Sequence, residues 1–246
     1  LANLLQLPGE PSVDISLAGK GSLADWNGVG SFSVDGQVVT QLTGRNQQTE
    51  KGNRIEAKGD GDFARFLPER FKPLLAGQTD FAFTGTATKT GGVEIEQAQI
   101  SSDAVRGTAA GHIDPKGATD FSLQFNSVGP TLPLALGSKE SPIDIEMKSA
   151  SLRAFGEGSA PMLDIGASLA KVTTTVTKFE NVDLTIHSDN FDVANPVGPM
   201  TGSLTVDKIG LDNPTIAPLI AGKIRADVAG SLAKETINVD KGSIRS

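Results

Sequence analysis

The sequence predicts an all-β protein, an elongated sheet of many short antiparallel strands with brief helical turns between its units. Three observations carry that expectation. Apolar and polar residues alternate through most of the chain, as where Val13, Ile15 and Leu17 interleave with Asp14 and Ser16; this period of two is the mark of a half-buried strand. Turn signals recur roughly every 8–14 residues, supplied by 28 glycines and 13 prolines. The single helix-like stripe of the N-terminal half, Phe63, Phe66, Leu67 and Phe71, is interrupted by Pro68 and Pro73, which reduces it to two short turns lying over the end of a sheet.

Taken in order, residues 1–12 hold one apolar turn before Pro8-Gly9 stops it. The Val13–Leu17 strand follows. Ser22–Gly28 reads as a polar bend carrying the sole Trp, and Phe32 and Val34 open the next strand. Asp35-Gly36 is a hairpin signal, because both central positions of the favoured two-residue turn need positive φ. Val38 to Leu42 returns; Gln47–Asn53 is a turn, and Ile55 and Ala57 share one face of a short strand. After the proline-broken segment come Phe81 and Phe83, the Gly91-Gly92 turn, Val93 to Ile100, and the Gly-rich run Val105–Ile113. Asp114–Gly117 is a turn, and Phe121, Leu123 and Phe125 form the cleanest apolar face.

Residues 127–142 contain three prolines and read as an irregular connection. Further strands are expected at Ile165–Leu169, Val172–Val176, Val182–Ile186, Leu204–Val206, Ile224–Val228 and Ile237–Val239, with a proline-broken link at Asp192–Met200. The total is roughly fourteen to sixteen strands.

Internal repetition organises this run of strands. Pro73-Leu-Leu-Ala-Gly77 returns as Pro218-Leu-Ile-Ala-Gly222, and Gly85 returns as Gly230, both at a constant offset of 145 residues (218 − 73 and 230 − 85). Ile143-Asp-Ile145 restarts the pattern of Val13-Asp-Ile15 at an offset of 130 (143 − 13). A duplicated unit is therefore expected: 1–130, a connection at 131–142, and 143–246.

Composition narrows the function. The net charge of −7 and pI near 4.9 exclude nucleic acid as a partner, since phosphate binding needs a basic stripe; they leave lipid open. Cysteine is absent, which slightly favours an oxidising compartment. No run approaches the roughly 18 apolar residues of a membrane helix. The chain lacks an initiator Met and ends within a strand-like run, so a segment of something longer is expected.

No motif for chemistry emerges. Asp60-Gly-Asp62 lacks the remaining ligand positions of a calcium loop and reads as a turn. His112 and His187 sit far apart in strand patterns without a third ligand. Gly166-Ala-Ser-Leu-Ala170 lacks the closing glycine of a nucleophile elbow. Gly19-Lys-Gly21 and Gly28-Val-Gly30 do not open helices, so they are no phosphate cradle. No catalytic residue, metal ligand or cofactor is expected. The Phe66–Leu75 segment could cap a sheet end, lie over a groove or touch a membrane; capping is the simplest of the three.

Three architectures accommodate such strands. Absence of Tyr and a single Trp leave no aromatic girdles for a membrane barrel. A sandwich core and an open apolar groove both remain, because alternation reports that one face is apolar and not what covers it. Glycines within strands, such as Gly85, Gly107, Gly111 and Gly230, suit a sheet that bends. An extracellular adhesin or autotransporter-like β-protein is the alternative reading of an elongated sheet. Either way, unpaired end strands should associate edge to edge.

Ser22-Leu-Ala-Asp-Trp-Asn-Gly28, the Phe66–Gln78 run and the repeat layout resemble the TamB family of the translocation and assembly module, in its alphaproteobacterial form. That family belongs to the AsmA-like, repeating β-groove group. The resemblance implies an internal periplasmic segment of a protein anchored in the inner membrane, with a curled sheet (a β-taco) lined by apolar side chains. It implies a role in outer-membrane biogenesis by phospholipid transport or by assembly of outer-membrane proteins. It also implies an Omp85-type outer-membrane partner, TamA, engaged through regions outside this chain. The groove-lining candidates are Val13, Ile15, Leu17, Phe32, Val34, Phe81, Phe83, Phe121, Leu123, Phe125, Ile165, Val182, Leu184, Ile186, Leu204 and Val206, with acyl chains as their ligand.

Overall fold

The computed structural model describes residues 12–245 apart from 23, 115, 139, 194, 212–221 and 234–235. The protein is all-β: the described residues form fifteen strands in an open antiparallel arrangement that does not close into a barrel. They divide into two compact units, Leu1–His112 and Ile113–Ser246. This division falls upstream of the 131–142 connection at which the repeat pattern breaks.

The first unit contains β1 (Val13–Ser22), β2 (Asp25–Val34), β3 (Gln37–Gln48), β4 (Gly52–Gly61), β5 (Thr79–Thr88), β6 (Val93–Ser101) and β7 (Val105–Ile113, ending one residue past the division). Each lies beside the next in chain order, a meander that short turns make natural. The β2–β3 turn is the one the sequence announces: Asp35 and Gly36 have φ of 49° and 76°, the left-handed region that a two-residue hairpin requires. Between β4 and β5 the chain forms two 3-10 turns, Ala64–Phe66 and Glu69–Leu75, the second with Pro73 inside it.

The second unit contains β8 (Ala118–Ser127), β9 (Leu132–Gly137), β10 (Pro142–Glu157), β11 (Met162–Thr173), β12 (Thr177–Ser188), β13 (Val197–Leu211), β14 (Ile224–Ala233) and β15 (Thr236–Arg245). The order is β8-β10-β11-β12-β13-β14-β15, with β9 beside β10. Both β8 and β9 run antiparallel to β10, one along Ser149–Glu157 and the other along Pro142–Met147. They are thus two pieces of one edge, interrupted at Val128–Thr131, where Pro130 has no N–H to give to a ladder.

Several expectations are corrected here. The Ser22–Gly28 stretch is no bend: its turn is over by Ala24, and Trp26 lies within β2. Residues 131–142 hold β9 where irregular chain was expected, because Leu132, Leu134 and Leu136 place their apolar side chains opposite Met147, Ile145 and Ile143. The Val172–Val176 run is not a strand of its own; β11 ends at Thr173, and Val176 sits 67% exposed in the following turn. Val197–Met200, placed in a proline-broken link, already belongs to β13. The apolar turn expected at 1–12 and the Pro218–Ala221 echo lie outside the described residues, save Ser12.

The described strands form one sheet with no second sheet to pack on. Among the described residues the buried apolar side chains are Val39, Val105, Leu132, Met147, Ala154, Val182 and Val206.

Candidate functional site: an apolar face in each unit

Residues directly opposite in antiparallel strands point to the same face, as do alternate residues along a strand. The registers therefore assign every side chain to a face. In the second unit one row runs Leu123–Leu152–Ile165–Ile186–Gly202–Val228–Gly242 across seven strands. Beside it runs Phe125–Ala150–Ala167–Leu184–Leu204–Ala226–Ile244. A third, Leu132–Met147–Leu169–Val182–Val206–Ile224, contains four of the buried apolar side chains, with Leu132 and Val206 each 2% exposed. Phe121 belongs to the same face, opposite Ala154. All the second-unit candidates, Phe121, Leu123, Phe125, Ile165, Val182, Leu184, Ile186, Leu204 and Val206, are thus brought together on one face.

Past a level of irregular pairing the strip continues as Leu134–Ile145–Val172–Phe179–Ile209. The β10–β11 register shifts on either side of Met147, and Asn181 of β12 has a φ of 49°. A charged row crosses the sheet at this level, with Glu146 on β10 pointing to the face opposite Met147 and Ile145: Glu146, Lys171, Glu180 and Lys208 are register neighbours with alternating sign. Ion pairs of 3.3 Å (Lys171–Glu146) and 3.6 Å (Lys208–Glu180) run along it.

In the first unit the rows are Ile15–Phe32–Thr40–Gly61–Thr79, then Leu17–Gly30–Leu42–Gly59–Phe81–Ile100, then Gly19–Gly28–Gly44–Ala57–Phe83–Ala98. Val13 and Val34, opposite one another, extend the same face. The first-unit candidates Val13, Ile15, Leu17, Phe32, Val34, Phe81 and Phe83 therefore share a face as well. Sequence reasoning missed Trp26, Leu42 and Ile100 on it; the sole Trp was hidden by the Ser22–Gly28 stretch reading as a bend.

Glycine sets the relief of this face. A Cβ on Gly19 would lie 2.3 Å from Trp26 Nε1, and one on Gly28 would lie 2.5 Å from Trp26 Cζ2. The indole lies flat on the glycine backbones of β1 and β2. Gly59 makes room in the same way for Phe81, whose Cε1 would be 3.0 Å from an added Cβ. Large side chains thus lie down over small ones, and the surface stays low.

The other face is mainly polar, with exceptions such as Val29 in the first unit and Phe155 opposite Met162 in the second. In the second unit it carries rows such as Ser122–Arg153–Asp164–His187–Thr201 and Asn126–Ser149–Ser168–Asp183–Thr205. His187 is held by carboxylates at both ring nitrogens, Nδ1 by Asp164 at 2.6 Å and Nε2 by Asp189 at 2.9 Å; hydrogen bonding to Asp164 first and Asp189 second raises its pKa above the ordinary 6.5. Asp227 is held below the usual carboxylate range by Arg225 and Ser203. In the first unit Arg54 is clasped by Glu96 and Glu56, which raises its pKa. A shallow depression of about 710 Å³ in the first unit is lined by Ala18, Val29, Thr43, Lys58 and Ala82 together with Gly30, Leu42, Gly59 and Phe81 of the apolar row.

The proline-broken segment touches the apolar face at Phe63. Phe63 meets Phe81 edge to face, ring centroids 5.9 Å apart. Its far end is tied down by Ser102, whose Oγ donates to the Leu74 carbonyl at 3.0 Å and accepts from Ala104 N and Val105 N at 3.1 Å each. The Asp60-Gly-Asp62 carboxylates have other partners: Gln78 Nε2 donates to Asp60 at 2.7 Å, and Arg65 binds Asp62 at 3.0 Å. Among the described residues no group of three or more His, Asp or Glu side chains is arranged to hold a metal ion. His112 is an exposed residue of β7.

What the arrangement offers chemically is continuous apolar surface on a rigid ladder. The row residues are mostly half-buried, neither packed away nor fully wetted. Comparison with protein-family models, with curated proteins and with solved structures finds no match for the chain.

Proposed function

We propose that the chain is a non-enzymatic carrier surface for acyl chains. In this reading it is a periplasmic segment of an inner-membrane-anchored scaffold that takes part in outer-membrane biogenesis. It would pass phospholipid between membranes, shelter outer-membrane proteins during assembly, or both. The observation that supports this is the uninterrupted apolar row on each unit. Six inter-strand steps of about 4.8 Å make the second-unit row ~29 Å long, and five steps make the first-unit row ~24 Å. One leaflet's acyl chain is ~15 Å long, half the hydrocarbon thickness of a bilayer, so either row accommodates it. Each methylene laid on such a surface gains about 0.8 kcal/mol when fully covered, and half coverage of a dozen methylenes still gives ~5 kcal/mol. The polar face, with its hydroxyl and ion-pair rows, would meet water. The periplasmic setting and an Omp85-type partner, TamA, engaged outside this chain, come from the sequence resemblance.

The experiment is lipid capture. The purified chain is expected to carry phospholipid detectable by mass spectrometry of an organic extract, and Phe83→Asp or Leu123→Glu to lose lipid crosslinking while remaining folded. A chain that neither carries lipid nor takes up an added acyl probe contradicts the proposal, as does unchanged crosslinking in the folded variants.

A further inference from the structure

Positive charge and a cavity coincide on the mainly polar face of the first unit. Two neighbouring rows cross it there, Lys20–Asn27–Arg45–Glu56–Thr84–Gln97 and Ala18–Val29–Thr43–Lys58–Ala82–Gln99. Together they carry three cations and one carboxylate, in a chain whose net charge is −7. Arg45 and Lys58 are diagonal neighbours, about 7–8 Å apart at the backbone, so their long side chains reach one small group between them. A cavity of about 470 Å³ lies at this point, lined by Asn27, Thr43, Arg45, Lys58 and Thr84 over a floor that includes Val29 and Ala82. All five polar side chains carry hydrogen-bond donors.

These cations are not committed to carboxylates of the chain. Among the described residues Lys58 makes no ion pair; Asp60, two residues along the same strand, is held by Gln78 Nε2 at 2.7 Å instead. Arg45 meets Asp25 at 3.7 Å, with the two side chains 47% and 61% exposed. Glu56, the one carboxylate in the cavity wall, is bound by Arg54 Nε at 3.2 Å. Two cations this close repel one another, and an anion between them turns the repulsion into attraction. We propose that the cavity binds the phosphate group of a phosphate ester. Lys58 and the guanidinium fork of Arg45 take the charged oxygens, and Asn27, Thr43 and Thr84 donate to the others. A bare phosphate has the bulk of two or three waters at ~30 Å³ each, so the cavity also has room for the alcohol part, resting on Val29 and Ala82. A soluble ester and a phospholipid headgroup share this chemistry. The inference does not depend on what the apolar face carries.

Calorimetric titration of the full chain at low ionic strength tests this. Glycerol 3-phosphate is expected to bind saturably, and glycerol, which lacks the phosphate, not to bind. Lys58→Gln and Arg45→Gln should each weaken binding about tenfold, and Glu56→Gln should strengthen it. Lys241→Gln, in the second unit, should leave it unchanged. All four replace exposed or half-exposed side chains and should keep the parent's urea midpoint, which shows that they fold. The source of the phosphate is read by flotation with phosphatidylcholine vesicles containing graded phosphatidic acid. Retention that rises with phosphatidic acid and is lost in Lys58→Gln assigns a lipid headgroup; titration without such retention assigns a soluble ester. Either result supports the site. No binding in both assays, unchanged affinity in Lys58→Gln and Arg45→Gln, or an equal loss in Lys241→Gln overturns it.

Discussion

The low, glycine-floored face of the first unit makes a sharp prediction at Gly28. A methyl there would sit 2.4 Å from the Ala18 carbonyl oxygen, 2.5 Å from Trp26 Cζ2 and 2.9 Å from Gly19 Cα. Two of these are backbone atoms of β1, so turning the indole cannot relieve them. Ordinary non-bonded contact is about 3.5 Å, so β1 has to move by about an ångström, or its ladder to β2 has to open. Overpacking of this kind costs about 1–3 kcal/mol, and at this chain length each kcal/mol lowers Tm by about 2–4 °C. Gly28→Ala should therefore lower Tm by roughly 4–8 °C for a cost near 2 kcal/mol, and should change the fluorescence of Trp26, the sole Trp. Gly202→Ala is the control: it too lies on an apolar row, but its nearest heavy atom is Thr185 O at 3.7 Å, and its stability should stay within about 0.5 kcal/mol of the parent. Both variants are read by thermal and urea unfolding. Equal stability of the two would refute the close approach of β1, β2 and the indole.

Other outcomes follow from the contacts at the edges of the apolar faces. Ser102→Ala removes the acceptor of the 1%-exposed Val105's N–H and should cost about 1–3 kcal/mol, with faster amide exchange across 63–78 than in β10–β13. Phe63→Ala removes the edge-to-face contact with Phe81, worth about 0.5–1.5 kcal/mol beyond the lost area; a double-mutant cycle with Phe81→Ala should show that coupling. His187 titrates above its unfolded value because Asp164, then Asp189, favours the charged ring. Its contribution to stability is thus complete below pH ~6.5 and is lost as pH rises through the folded pKa. Tm measured across that window should fall in the parent and stay flatter in His187→Gln; parallel profiles would contradict the assignment.

Most of the architecture was legible because period-two alternation is a direct record of two unlike faces. Every alternating run used to choose candidates fell on a strand, and the registers place all of the chosen residues on the apolar face of their unit. The misses have physical causes. β9 escaped because Pro133 and its Gly and Pro neighbours suggest irregular chain, while the Leu132–Met147 pairing that recruits it is a long-range contact. Trp26 escaped because the flanking Asp, Asn and Gly residues mimic a turn; its place is fixed by Gly19 and Gly28, a tertiary fit that no local pattern encodes. Strand ends escaped in β12, β13 and β15, where Ser, Thr, Lys and Gly continue a ladder whose side chains need no cover. The ion-pair row Glu146–Lys171–Glu180–Lys208 was invisible for a related reason, since its members come from four strands.

The central claim is that the face marked by Leu184 and its row, and not the opposite face, receives acyl chains. It is tested most directly by placing a photoreactive amino acid at Leu184 or at its neighbour Thr185, which belong to opposite faces. After irradiation with phospholipid vesicles and isolation of the protein, mass spectrometry should find phospholipid adducts on the Leu184 variant and essentially none on the Thr185 variant. Adducts at both positions alike, at Thr185 alone, or at neither would contradict the claim.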